Sequence, residues 1–250
     1  MKKDSSTECW NKVEMEEYIM TAQNNDFRMH YIMPYTLKAI GDVKAKYILD
    51  LGCGEGGYSR ALADMGAVVT AVDCSEALLD YVADRAMKEG ADIKTLRRNS
   101  NELTVIQDDV FDIVLCSMML MDVEDLDGTL KEIHRVIKQN GRVFISILHP
   151  CFKPKESKWI LEEDGIKVAV MDYFNPTEWI DIINGVNTPL IYRHRTLSNY
   201  IKAFNENDFI LADMNEPIPT MEQLSCSSRI EWLCKIPMYL FMELKKKGCE

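Results

Sequence analysis

The stretch Tyr47-Ile48-Leu49-Asp50-Leu51-Gly52-Cys53-Gly54-Glu55-Gly56-Gly57 decides how the rest of the chain is read. A short apolar run meets a cluster of glycines, the pattern of a buried strand entering a tight turn. Gly52, Gly54 and Gly57 fall at G-x-G-x-x-G spacing, and Asp73 stands 21 positions after Gly52, at the end of the next apolar run. In a doubly wound α/β sheet this turn is where a nucleotide-like cofactor lies. The glycines let the backbone come close, and the carboxylate accepts hydrogen bonds from ribose hydroxyls.

Outward from that turn, strands and helices alternate. Tyr58–Met65 reads as a helix stopped by Gly66, and residues 67–72 as a second strand. Ser75 caps a helix carrying Leu78, Leu79, Val82 and Ala86. Residues 93–96 and 111–116 are further strands. Leu126, Leu130, Ile133 and Ile137 recur at helical spacing up to a stop at Asn140-Gly141, and residues 142–148 form the fifth strand. Strands apolar on both faces and separated by amphipathic helices predict a mostly parallel sheet covered on both sides. Phe209–Met214 and Met238–Leu244 add two closing strands, seven in all. The expected organisation is an N-terminal helical cap over 1–40, an α/β core over 41–150, and a lid inserted after the fifth strand over 151–195. A C-terminal helix with the closing strands follows over 196–250.

Charge separates the candidate cofactors. A dinucleotide sets its pyrophosphate against such a loop and the helix behind it. Here Asp50 and Glu55 flank the loop and would repel it, whereas a sulfonium with an α-ammonium would be attracted. No Y-x3-K pair, phosphate loop of the G-x4-G-K-[ST] type or G-x-S-x-G elbow is present. With these residues in view, Leu49–Gly56 resembles motif I of the class I S-adenosylmethionine-dependent methyltransferases, and Val72-Asp73-Cys74-Ser75 their second motif. Asn99–Leu103 lies where many members have Asp-Ala-x-x-Leu, and Phe111–Ser117 resembles their fourth-strand motif. The likeness is close over residues 25–150 and continues loosely through Arg195–Tyr200, as in the small-molecule members of the type 11 group.

The resemblance implies a Rossmann-like fold, S-adenosylmethionine as methyl donor and S-adenosylhomocysteine as product. By the same resemblance Gly52, Cys53 and Gly54 line the methionine half, Asp50 acts on the ammonium, Asp73 holds the ribose with Cys74 beside the adenine, and Asn99 and Ser100 meet the adenine. Cys116 and Ser117 are expected to face the cofactor from the end of the fourth strand. The family has no universal catalytic residue, so candidates for a general base come from position. His149, just past the fifth strand, and His194 are the two. The lid aromatics Phe152, Trp159, Tyr173, Phe174 and Trp179, with Met118, Met119 and Met121, are candidates for an adaptable acceptor pocket.

The composition bounds the partners. The 250 residues carry 29 Lys and Arg against 40 Asp and Glu, a net charge of -11. This argues against nucleic acid, which such a chain repels on average. The apolar runs are far shorter than a membrane span, and the N-terminus has no apolar signal region. Eight cysteines without a C-x-x-C pair read as reduced thiols of a cytoplasmic protein, and no metal site is expected. The expected function is methyl transfer to a small molecule. The alternatives are a nicotinamide-dependent oxidoreductase and a cofactor-binding module without turnover. The acceptor atom and the oligomeric state stay open.

Overall fold

A computed structural model describes residues 4–155, 157–163, 165–182 and 188–248. Its centre is a seven-stranded sheet. The strands in chain order are β1 (Tyr47–Leu51), β2 (Val68–Asp73), β3 (Ile93–Arg97), β4 (Phe111–Ser117), β5 (Ile137–Leu148), β10 (Phe209–Asn215) and β11 (Tyr239–Lys246). Their spatial order is β10-β11-β5-β4-β1-β2-β3. The first five run parallel; β11 joins β5 antiparallel and β10 joins β11 antiparallel. The order reverses between β1 and β4, the switch point where the carboxyl ends of an open sheet leave a crevice. The helices α4 (Gly57–Asp64), α5 (Glu76–Glu89), α6 (Leu126–Val136) and α7 (Leu197–Glu206) belong to this core.

Both faces of β1 and β4 are buried, which is why their sequences are apolar without alternation. Leu49, Leu51, Val114 and Cys116 join the α6–α7 side, and Ile48, Ile113 and Leu115 pack on the other side with Tyr58 and Leu62 of α4. Ser75 caps α5 as expected, its hydroxyl accepting from the Leu78 amide, and Gly90 closes that helix in the left-handed region.

Two local readings change. Helix α6 ends at Val136, and Ile137 already pairs with Phe111. The ladder then resumes at Ile113 with Arg142, so Asn140-Gly141 lies in a bulge inside β5 and is not a helix stop. A Cβ on Gly141 would come 2.4 Å from the Ile137 side chain, so the bulge needs glycine there. The second change concerns 151–195. Its described residues include two antiparallel strand pairs, β6 (Lys158–Glu162) with β7 (Gly165–Ala169) and β8 (Glu178–Ile182) with β9 (Pro189–Arg193). The short pairing of these strands with each other and not with the main sheet left little signal in the pattern.

The N-terminal segment forms α1 (Ser5–Trp10), α2 (Met15–Gln23), a π-helical turn at Arg28–Ile32 and α3 (Met33–Ile40). Tyr31 and Ile32 bury against Ile230, Leu233, Tyr239 and Phe241, which ties this arm to the last strand. A short helix α8 (Met221–Cys226) and a 3-10 turn at Ser228–Cys234 precede β11. No helix among the described residues is long and apolar enough to cross a membrane. The seven described cysteines form no disulfide, and Cys249 lies outside the described residues.

Candidate active site

A cavity of about 310 Å³ opens at the carboxyl ends of β1, β2 and β4. That is within the usual range of small-molecule sites, roughly 300–1,000 Å³. Asp50, Gly52, Cys53, Gly54, Asp73, Cys74, Asn99, Ser100 and Ser117 all line it, so nine of the ten proposed cofactor positions lie together. Cys116 does not. It is fully buried in the core beside Leu126 and Leu130, because the strand's alternation turns Ser117, and not Cys116, toward the crevice. Burial pushes its thiol well above the ordinary range.

The loop after β1 spends its own amides. Gly52 and Cys53 N–H both donate to the Val72 carbonyl, at 2.8 and 3.0 Å, and Gly56 N–H donates to the Cys53 carbonyl at 2.9 Å. Gly54 N–H donates to Asp73 Oδ2 and Ser75 N–H to Asp73 Oδ1, both at 2.9 Å. These bonds, with further ones from Cys74, fix the Asp73 carboxylate in the cavity wall. Burial raises the Asp73 pKa, and the two amide bonds partly offset it. Gly54 has φ +55°, and a Cβ there would stand 2.7 Å from the Tyr18 hydroxyl. Gly52 has φ +71° and faces Met119 at 2.9 Å in the same test. Only glycine supplies both the dihedral and the space.

The acidic residues differ in what they present. Asp50 is buried and accepts the Ser59 hydroxyl at 2.6 Å. Desolvation raises its pKa to about 6, against the Ser59 bond and the Arg28 charge. Glu55 corrects the charge argument drawn from the sequence. Its carboxylate is buried between Arg28 at 2.5 Å and Arg60 at 2.6 Å. Burial opposes ionisation, but these guanidinium groups outweigh it and hold the pKa below the ordinary value. Glu55 is thus neutralised, and the negative character of the loop rests on Asp50 and Asp73.

Asn99 Oδ1 accepts the Thr7 hydroxyl at 3.2 Å, Ser100 Oγ shares a hydrogen bond with Thr129 Oγ1 at 2.8 Å, and Ser117 Oγ with Ser146 Oγ at 3.1 Å. Neither histidine lines the cavity. His149 is buried beside Phe152, its Nδ1 accepting from the Cys151 amide at 3.1 Å and its Nε2 meeting Glu216 at 2.5 Å. That pattern puts the proton on Nε2 and leaves neither nitrogen for a substrate. Burial also holds the pKa below its ordinary value despite Glu216. His194 Nε2 donates to the Tyr173 carbonyl at 2.7 Å. Both rings fix backbone turns, Pro150-Cys151 in one case and the approach to α7 in the other.

The sequence offered both an N-terminal cap and a lid over 151–195 as cover, without showing which of their residues reach the cavity. Of the 151–195 segment, Tyr192 lines it. The named lid aromatics pack elsewhere: Trp159 on Trp232, Tyr173 on Phe174 and His194, and Trp179 on Tyr192. The N-terminal arm closes the cavity instead, through Trp10, Tyr18 and Arg28 among others, while Met118, Met119 and Met121 line it as expected. Asp122 also lines it and stood out in no motif. The signal was an acidic residue following the apolar run Met118–Met121, where a buried position was due.

Residues 49–145 match the methyltransferase domain model of the type 11 group. The ubiquinone biosynthesis O-methyltransferase of Coxiella burnetii is 35% identical over 130 residues, 50% of this chain and 54% of the relative. The enzyme of the same name from Photobacterium profundum is 29% identical over 184 residues, 71% of this chain and 76% of the relative. The chain thus spans about half the length of the first of these relatives. Among solved structures, an S-adenosylmethionine-dependent methyltransferase from Mesorhizobium loti superposes with a TM-score of 0.74 at 22% identity, over 90% of this chain and all of that one. The 1,6-didemethyltoxoflavin-N1-methyltransferase of Burkholderia thailandensis, with S-adenosylhomocysteine bound, gives 0.58 at 17% identity, over 94% and 87%. At those identities the structures speak to fold alone. Strand order, glycine loop and acidic wall agree with the methyltransferase domain that residues 49–145 match.

Proposed function

We propose that this chain transfers a methyl group from S-adenosylmethionine to a small-molecule acceptor. The observation that carries this reading is the use of the loop amides. Gly52, Cys53, Gly54 and Gly56 N–H are all committed within the protein, so none of the four is left for a pyrophosphate. What the loop presents instead is carboxylate, from Asp50 and Asp73. That donor set suits a cation next to a ribose. The fit extends to Gly54, where a Cβ would crowd the Tyr18 hydroxyl across the cavity at 2.7 Å.

When bound, the cofactor supplies a methyl group already activated by its sulfonium. The protein's residues then bind and orient. Asp50 would hold the ammonium, Asp73 the ribose hydroxyls, and Asn99 with Ser100 the adenine edge. The N-terminal arm would exclude water from the reacting centre, and proximity and desolvation can supply much of the rate. On this reading residues 41–150 hold the cofactor, 1–40 cap it, and 151–195 contribute Tyr192 to the acceptor side. The free thiols fit a cytoplasmic location.

Calorimetric titration with S-adenosylhomocysteine and with NAD tests the cofactor. Binding of the first and not the second is expected, and the reverse overturns the proposal in favour of an oxidoreductase. Transfer of labelled methyl from S-adenosylmethionine to a small-molecule extract tests turnover. Cofactor binding with no transfer to any acceptor would make the chain a binding module.

A further inference from the structure

Asp122 is 6% exposed, lines the cavity, and has one carboxyl oxygen without a partner among the described residues. Its other interactions are accounted for. The indole N–H of Trp10, from α1, donates to the carboxyl. The backbone carbonyl of Asp122 accepts from Arg193 of β9 and from the Ser6 hydroxyl. Arg195 binds the flanking carbonyls of Leu120 and Val123, at 3.1 and 2.6 Å. Two arginines and a serine therefore pin this turn through its main chain, while the carboxyl makes no ion pair among the described residues. A carboxyl buried in this way is costly unless something satisfies it.

We propose that Asp122 anchors the acceptor by receiving a hydrogen bond, and then the proton, from a neutral hydroxyl on a flat aromatic body. The inference rests on the methyltransferase reading given above. The shape of the body follows from the cavity walls: Trp10 and Tyr192 near the carboxyl, and Tyr18 and Met118 elsewhere in the lining, present flat or adaptable apolar surfaces. Trp10 also packs edge-on against Tyr18, whose hydroxyl faces Gly54, so one pair of rings links Asp122 to the cofactor loop. Neutrality of the acceptor follows from charge. Arg193 and Arg195 both place positive potential on Asp122, which disfavours a bound cation and favours a group that gains negative charge as it reacts.

The chemistry balances without a further reagent. The acceptor oxygen forms a bond to the methyl carbon, the carbon–sulfur bond breaks with its electron pair returning to sulfur, and the hydroxyl proton passes to Asp122. Desolvation raises the carboxyl to about 8 against the pull of Arg193, much closer to a phenol than an exposed aspartate is. Trp10 N–H keeps the other oxygen occupied, so the proton is directed to the unpartnered one.

The test uses the full chain saturated with S-adenosylhomocysteine, with 4-ethylphenol and its methyl ether, 4-ethylanisole, as probes. Calorimetry of the wild type at pH 9, where the Asp122 carboxyl is ionised and the phenol is still neutral, is expected to show a preference for the phenol of about ten- to a hundredfold, the worth of one charge-assisted hydrogen bond. Asp122→Asn is expected to reduce that preference to within about threefold and Asp122→Leu to abolish it, with S-adenosylhomocysteine affinity little changed in both. Should the leucine variant fail to fold, the asparagine variant carries the test. Trp10→Phe, which keeps the ring and frees the second oxygen, is expected to retain the preference. Equal binding of phenol and ether by the wild type, binding of neither, or an undiminished preference in Asp122→Asn overturns the proposal. Failure of the wild type to bind S-adenosylhomocysteine overturns the cofactor reading itself, a distinct result.

Discussion

The glycine loop after β1 and the helical arm that covers it line one cavity, but they are encoded differently. At the loop every constraint is local. Positive φ demands glycine, the strand before it demands apolar residues, and Asp73 is placed by one strand–helix–strand unit. The arm folds into ordinary helices, and its role comes from pairs far apart in the chain: Tyr18 over Gly54, Trp10 on Asp122, Arg28 on Glu55. Patterns that short-range sterics dictate can be read from a sequence; pairings made by tertiary contact cannot. The comparison makes a sharp distinction. Loop substitutions should act on cofactor binding, and arm substitutions chiefly on stability and closure.

The largest effect expected is at Gly54. Gly54→Val adds a branched side chain at φ +55° against the Tyr18 hydroxyl. Affinity for S-adenosylhomocysteine should fall beyond detection, more than about 1,000-fold, with the fold retained by circular dichroism. The double variant with Tyr18→Phe removes the clashing hydroxyl but leaves the dihedral strain, so it should bind no better. Rescue by Tyr18→Phe would mean that the arm, and not the loop, sets access to the site.

Asp73→Asn comes next. It keeps the size of the side chain but loses the charge, and one nitrogen replaces an oxygen that now accepts an amide. At about 1.5–3 kcal/mol for a charge-assisted bond, affinity should drop by ten- to a hundredfold in calorimetry. Unchanged affinity would detach Asp73 from the ribose. On the arm, Arg28→Ala leaves Glu55 buried with Arg60 and the Gln23 amide as its remaining partners. The expected cost is about 2 kcal/mol, below the full penalty for breaking a buried pair because Arg60 stays. Tm should fall by about 4–8 °C. A loss of cofactor affinity larger than the loss of stability would erase the distinction between loop and arm.

The same contrast explains which residues could be read in advance. Seven strands and the capped α5 followed from periodicity and glycine placement, and nine of the ten positions named from motifs line one cavity. Cys116 was misplaced because a strand buried on both faces has no alternation to show which side looks into the crevice. His149 and His194 stood at the right end of the sheet, yet their partners Glu216 and Tyr173 come from distant segments. The strands within 158–169 and 178–193 pair with one another, and of their aromatics Tyr192 reaches the cavity while Trp159 packs on Trp232. Asp122 left only a faint signal, an acid at the end of an apolar run, because its surroundings come from the arm and β9 folded onto it.

The smallest effect expected distinguishes binding from folding at a single carboxyl, Asp50. Around it stand Ser59, Arg28, Asp73 and Glu55, and the balance leaves its pKa at about 6 in the folded protein, above the ordinary carboxylate value. A raised folded-state pKa means the folded protein holds the proton more tightly than the unfolded chain. The associated stability is fully present below the unfolded pKa, near 4, and is lost as pH rises through about 6. Cofactor binding runs the opposite way, because holding an ammonium needs the ionised form. Between pH 7.5 and 5.5 the ionised fraction falls from nearly all to about one quarter, so S-adenosylhomocysteine affinity should weaken roughly fourfold. Asp73 and Asp122 titrate in the same direction, so the measurement is a difference against Asp50→Asn. That variant should bind more weakly at pH 7.5, lose the fourfold dependence, and show a smaller fall in Tm from pH 5 to pH 7.5 than the wild type. A wild type whose affinity is unchanged and whose stability does not fall as pH rises over this interval would mean that Asp50 is ionised throughout, with Ser59 and Arg28 outweighing its burial.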